Sequence, residues 1–211
     1  KLMNLTGLLL SGVGTTVSVF ALTLVLSIPL GMLVSFGRMS RLKIVSKPVS
    51  FYIYIMRSTP LMLQVMFLYF LLPQVLPFRF DRFWAVIFSF VINYAAYFAE
   101  IFRGGIQAVP PGQKGAAQVL GYSKAQTFFR VVLPQVVKRV ILPVTNEVIT
   151  LVKDTALAAM DAITEVLTIA KKQASASVSV DPYIVAMVIY LILNGIAEQA
   201  CKLVERKLNF Y

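Results

Sequence analysis

Long apolar runs separated by short polar segments dominate this chain. Residues 2–37 contain no charged side chain, and comparable runs follow at intervals down to the C-terminal tail. A helix of about 20 apolar residues crosses the roughly 30 Å hydrocarbon core of a bilayer. The pattern therefore predicts about five transmembrane helices, at about 12–36, 48–72, 83–102, 131–152 and 182–198.

The composition supports the same class of protein. Hydrophobic residues make up 58% of the 211 residues and charged residues 14%, whereas soluble domains have about 45–50% and 25%. The predicted fold class is an all-α integral membrane protein, with residues 1–211 forming a single transmembrane domain.

The basic residues predict an orientation. Segments 38–47, 103–139 and 202–211 hold 13 of the 20 Lys and Arg residues and one acid, Glu205. The positive-inside rule places these segments in the cytoplasm, so the N-terminus is expected outside and the C-terminus inside. The net charge of +11 does not predict nucleic-acid binding, because the basic residues lie in loops between apolar runs. A membrane-embedded enzyme or a metal site is also not expected, since the chain has no histidine and one cysteine.

Acidic residues within or beside an apolar span are costly and usually line a path or pair with a partner. Glu147, Asp154 and Asp161 follow one another at intervals of seven. A continuous helix would bring all three close to one face, with a drift of about 20° per step. Such a stripe suits a path for a cationic solute. The alternative is local pairing, in which Lys153 neutralises an acid and Asp154 caps a helix break.

Three further polar residues lie at membrane depth. Asn93 and Tyr97 are four residues apart on one face of the third span, where they either bind a solute or hold two helices together. Arg57 either binds a carboxylate bidentately or pairs with an acid on another helix. Glu100 and Arg103 have the spacing of a helical ion pair.

The one long polar connection, about 104–130, has the turn residues of two short helices. Pro110–Gly112 breaks the preceding helix, and Lys114–Leu120 predicts a short helix that Gly121 ends in αL geometry. Ser123 is a predicted N-cap of the next helix. The small residues at 115–117 allow close approach to another surface. The alternative is an ordinary polar connector, which would have the same turn residues.

Four segments resemble the permeases of ABC importers. Ala116-Ala117, Gly121 four residues later and Leu133-Pro134 resemble the EAA loop of that family. Segments 57–64, 96–113 and 153–157 resemble its polar amino acid branch. Gly115 stands where the family usually has the glutamate of the motif, so an ion pair from that glutamate to the ATPase is in doubt.

The resemblance implies a type I ABC importer permease in a bacterial inner membrane, a transporter subunit and not an enzyme. Its implied partners are two ATPase subunits, a second permease subunit and an extracytoplasmic solute-binding protein. The chain has no G-x-x-x-x-G-K-[ST] loop, so ATP and Mg are expected on the ATPase, and no cofactor or metal on this chain. The expected ATPase-coupling residues are Gly115, Ala116, Ala117, Leu120, Gly121, Tyr122 and Ser123.

The expected substrate is a polar amino acid, and the extra acids favour a cationic one such as arginine, lysine or histidine. A zwitterionic or acidic substrate is the alternative, since a permease can leave selection to its solute-binding protein. The alternative function is an ion-coupled secondary carrier of amino acids in which the acids relay a proton. The candidate substrate-binding residues are Arg57, Asn93, Tyr97, Glu147, Lys153, Asp154 and Asp161.

Overall fold

The computed structural model describes residues 2–75, 81–161 and 163–208, and across these ranges the regular structure is entirely helical. Short 3-10 and π turns at 155–161 and 128–132 adjoin the α-helices. The α-helices in chain order are α1 (Leu2–Leu10), α2 (Val13–Arg38), α3 (Lys43–Ser58), α4 (Leu61–Val75), α5 (Arg82–Gln107), α6 (Pro111–Val119), α7 (Lys124–Thr127), α8 (Leu133–Asp154), α9 (Val166–Ser177) and α10 (Asp181–Leu208).

Helix α5 is the centre of the bundle. More than half of its 26 residues are buried, and α2, α3, α4 and α8 all pack against it. The residues that α2 buries recur every three or four positions and are mostly small: Thr16, Val19, Thr23, Ser27, Gly31 and Ser35. Small residues let membrane helices approach closely, which explains how a helix without large side chains on this face packs so extensively on α5.

Two glycines permit the closest approaches to α5. A Cβ at Gly31 would lie 2.7 Å from the Cβ of Phe98, and a Cβ at Gly105 would lie 2.4 Å from a methyl group of Val140 on α8. Any larger residue at either position would push the helices apart. These two contacts bring α2 and α8 close to α5 at positions two turns apart.

The single span predicted over about 48–72 is two helices. Helices α3 and α4 meet at an angle of 109°, and the break falls at Thr59 and Pro60. Pro60 has no backbone N–H, and proline disfavours the helical conformation in the residue before it. The apolar pattern continues through the break, so hydrophobicity alone does not reveal it.

Among the residues that the structure describes, three helical segments are long and apolar enough to cross a membrane: Asn4–Arg38, Arg82–Gln107 and Asp181–Leu208. The α3–α4 pair would make a fourth span if it crosses as one unit. Helix α8, expected as a span at about 131–152, has 22 residues but is less apolar, because it carries Lys138, Arg139 and Glu147. The count of five spans stays a prediction.

The connection between α5 and α8 has the predicted local structure. Helix α5 continues to Gln107, so the connection begins later than 104, and α6 begins at Pro111. Gly121 has a φ of +78°, which confirms the αL position. Ser123 caps α7 in a capping box with Gln126, which confirms the N-cap.

The segment after α8 is a 3-10 turn over Thr155–Asp161, followed by α9. The α-helix therefore ends at Asp154, and the seven-residue stripe of acids is helical only from Glu147 to Asp154. The side chain of Asp161 lies outside the described residues. Helix α9 is anchored by the buried Glu165, which caps its N-terminus and accepts a hydrogen bond from Tyr190.

Candidate functional site

A polar cavity of about 420 Å³ lies between the α3–α4 break, α5 and α8. The break contributes backbone and side chains that turn toward α5, and α8 contributes a face with two acids. The lining residues are Thr59, Pro60, Leu61, Met62, Asn93, Tyr94, Tyr97, Glu147, Thr150, Asp154 and Leu157. Asn93, Tyr97, Glu147 and Asp154 were candidates from the sequence, and the fold brings these four together.

Glu147 and Asp154 are seven residues apart on α8 and both border the cavity. Asp154 accepts a 2.7 Å hydrogen bond from the hydroxyl of Tyr94 on α5. The carboxylate of Glu147 has no hydrogen-bond partner among the residues that the structure describes. One acid is therefore held in place by the protein, and the other is open to the cavity.

Asn93 holds the broken helix pair to α5. Its side chain is buried, and its amide nitrogen donates to the carbonyl oxygen of Met56 at 3.0 Å and to Oε1 of Gln64 at 2.8 Å. The amide nitrogen of Gln64 donates to the carbonyl oxygens of Met56 and Thr59 and to the hydroxyl of Thr59, at 2.7–3.1 Å. The two amides satisfy carbonyls that the break leaves without helical partners.

Arg57 lies beside the cavity, on the last turn of α3. Its guanidinium is 5.4 Å from the ring centroid of Tyr97 and 4.0 Å from Oε2 of Glu100. That glutamate is bonded at 2.5 Å to Arg103, which confirms the predicted Glu100–Arg103 pair. Because Glu100 is already neutralised and the Arg57 side chain is 45% exposed, the guanidinium can accept another anion.

Arg57 and Lys153 are not among the residues that line the cavity. Lys153 is exposed. The side chain of Asp161 lies beyond the described residues. Gln64 and the cavity wall at 59–62 were not among the predicted site residues. The signal for them is the polar sequence Ser-Thr-Pro inside an apolar run, followed by Gln64, which indicates a helix break whose carbonyl groups need a side-chain partner.

The connection between α5 and α8 exposes apolar side chains at its tip. Val119 is 89% exposed and Leu120 is 75% exposed, whereas Ala117 is buried against the rest of the segment. A Cβ at Gly115 would meet open space. Exposed apolar residues next to each other on a polar connection mark a contact surface for another protein.

Comparison with known proteins decides the family. Residues 27–210 match the family described as binding-protein-dependent transport system inner membrane component. The chain belongs to this family. It is 35% identical over 202 residues to the arginine transport system permease protein ArtQ of Bacillus subtilis, covering 95% of this chain and 92% of that protein. It is 39% identical over 194 residues to the octopine transport system permease protein OccM of Rhizobium radiobacter, covering 86% and 79%.

Solved structures agree with the sequence comparison. An amino acid ABC transporter crystallised with histidines superposes with a TM-score of 0.88 at 30% identity, covering 98% of this chain and 96% of that chain. The MetNI methionine ABC transporter superposes with a TM-score of 0.77 at 19% identity, covering 96% of each chain, which shows a shared fold alone. The permease is therefore a membrane subunit of an amino acid ABC transporter with the type I fold, and its family works with ATPase and solute-binding partners. This membership supports the permease over the ion-coupled carrier.

Proposed function

We propose that this permease imports a cationic amino acid through the cavity between the α3–α4 break, α5 and α8. The observation that carries the proposal is the pair of carboxylates, Glu147 and Asp154, on the cavity wall. Among related permeases, ArtQ is named for arginine and others for octopine, nopaline and cystine, so membership of the family does not identify the substrate.

The charges around the cavity match those of arginine or lysine. Such a substrate has two cationic groups and one carboxylate. Glu147 and Asp154 supply two anions, and Arg57, exposed beside Tyr97, supplies one cation. Glu147 has no hydrogen-bond partner among the described residues and interacts only at a distance with the positive charge of Arg57. A carboxylate at membrane depth is costly, so a cationic occupant stabilises Glu147 more than an uncharged one does.

The assembly that we propose contains two permease subunits, identical or homologous, and two ATPase subunits that bind ATP and Mg. The exposed Val119 and Leu120 at the end of α6 support docking of residues 115–123 on the ATPase. A solute-binding protein delivers the substrate from outside a bacterial inner membrane. The N-terminus lies on that outer side, in agreement with the basic segments at the other face.

The test replaces Glu147 with glutamine, which keeps the size and removes the charge. A hydrogen bond to a charged group contributes about 1.5–3 kcal/mol, and 1.4 kcal/mol is a factor of ten. The KM for ATP-driven arginine uptake in proteoliposomes should therefore rise about 10- to 150-fold, while that for glutamine changes little.

Glu198→Gln is the matched control, because Glu198 lies on α10 and pairs with Lys202, away from the cavity. Its KM values should equal those of the wild type. Undiminished arginine uptake by Glu147→Gln at low substrate concentration would refute the proposed selectivity and leave the family assignment intact.

A further inference from the structure

A second cavity, of about 460 Å³, lies on the other side of α8 from the polar one. We call it the apolar groove, and most of its lining residues lie on α2, α8 and α10. Its residues are almost all aliphatic: Thr16, Val17, Phe20, Leu24, Ile28, Ile141, Val144, Thr145, Val148, Val152, Thr155, Leu193, Ile196, Ala197, Ala200, Cys201 and Val204. Helix α8 therefore separates a polar cavity from an apolar one.

The dimensions of the apolar groove fit one acyl chain. Along α2 it extends from Thr16 to Ile28, which is about 18 Å at a rise of 1.5 Å per residue. One leaflet accounts for about half of the roughly 30 Å hydrocarbon core.

Positive charge lies at one end of the apolar groove. Lys138 is three residues before Ile141, and Lys207 is three residues after Val204, so each lysine continues the helix face that lines the groove. Lys207 is exposed. Basic residues at this level attract anionic lipid headgroups, and the positive-inside rule places the same end in the cytoplasmic leaflet.

We propose that the apolar groove binds one anionic phospholipid of the cytoplasmic leaflet, with an acyl chain between α2, α8 and α10 and its phosphate near Lys207. The bound chain packs against Val148 and Val152 and so supports the helix face that carries Glu147 and Asp154. The proposal does not depend on which amino acid the permease imports.

The test counts lipids on the intact permease–ATPase complex by native mass spectrometry, after delipidation and addition of phosphatidylglycerol or phosphatidylcholine with the same acyl chains. The wild type should retain one phosphatidylglycerol per permease subunit. Ala197→Trp, which fills the groove, should lower that occupancy at least tenfold. Leu191→Trp, on the exposed face of the same helix, should leave it unchanged.

The headgroup is tested separately, by a change that does not disturb packing. Each basic residue near the membrane surface contributes about 1 kcal/mol to anionic lipid binding, so Lys207→Gln should lower the preference for phosphatidylglycerol about fivefold. Lys43→Gln, a basic residue far from the groove in sequence, should not.

Equal lipid occupancy in Ala197→Trp and the wild type would overturn the proposal, as would equal binding of the two lipids by the wild type. Loss of the permease pair in Ala197→Trp with lipid occupancy unchanged would also overturn it, and would assign the groove to a second subunit. If Ala197→Trp does not assemble, an unchanged headgroup preference in Lys207→Gln refutes the proposal by itself.

Discussion

Replacing Asn93 with alanine removes the contact that holds the α3–α4 break to the central helix. The alanine variant loses both hydrogen bonds of the Asn93 amide, one to the carbonyl oxygen of Met56 and one to Oε1 of Gln64. Gln64 keeps its own bonds to Met56 and Thr59, so the break is weakened and not abolished.

The magnitude follows from the number of bonds. Hydrogen bonds between membrane helices average about 0.6 kcal/mol and reach about 1.7, so the loss of two predicts about 1–3 kcal/mol. For a chain of this size each kcal/mol lowers the melting temperature by about 2–4 °C. The Asn93→Ala variant should therefore unfold about 2–12 °C below the wild type.

The assay is a double-mutant cycle with Gln64→Ala, read by thermal unfolding of the permease in lipid nanodiscs. Residues that share hydrogen bonds show coupling energies of about 0.5–3 kcal/mol. The two substitutions together should therefore cost clearly less than the sum of their separate effects. Arginine uptake should fall in both single variants, because the wall at 59–62 loses its support.

Three results together would refute a structural role for Asn93: a wild-type melting temperature for Asn93→Ala, a raised KM for arginine uptake, and no coupling energy with Gln64→Ala. That result would make Asn93 a ligand of the solute, which is the other function that its position allows.

Two glycine substitutions test the packing and the coupling segment. Gly121→Ala places a side chain at a φ of +78°, which costs about 1–2 kcal/mol, and it should reduce co-purification of the ATPase. Gly112→Ala is the control, because a Cβ at either position meets open space. Equal loss of the ATPase in both variants would contradict the importance of the αL conformation at Gly121. Gly31→Ala puts a methyl group 2.7 Å from the Cβ of Phe98 and should destabilise the permease by about 1–3 kcal/mol in thermal unfolding. Gly14→Ala, on the same helix, places its methyl group in open space and should not destabilise the permease. Equal stability of the two variants would show that α2 can move away from α5 at no cost.

The parts of the fold that local chemistry determines could be predicted from the sequence. The apolar runs predicted α2, α5 and α10, because a membrane span requires a continuous apolar helix. Gly121 and Ser123 were predicted because a helix end and a helix start each need a particular residue type. The break at Pro60 was not predicted, since a bend of 109° leaves the apolar pattern of both halves intact.

The polar cavity could be predicted only in part, because some of its contacts join residues that are far apart in the sequence. Glu147 and Asp154 lie on one helix, and their spacing alone places them on one face. The partners of Asn93 could not be inferred, because Met56 and Gln64 are 37 and 29 residues away in sequence and come together only through the break. Lys153 does not line the cavity, because a residue adjacent to Asp154 on a helix points to a different face, and its role in substrate binding stays a prediction.

The central claim is that an ATPase drives this permease, and uptake of labelled arginine into proteoliposomes tests it most directly. The vesicles contain the permease, its ATPase and its solute-binding protein, with ATP on the side of the ATPase. If an ATPase drives the permease, we expect uptake that requires ATP hydrolysis and persists when ionophores abolish every ion gradient. Uptake by the permease alone, driven by an ion gradient without ATP, would contradict it.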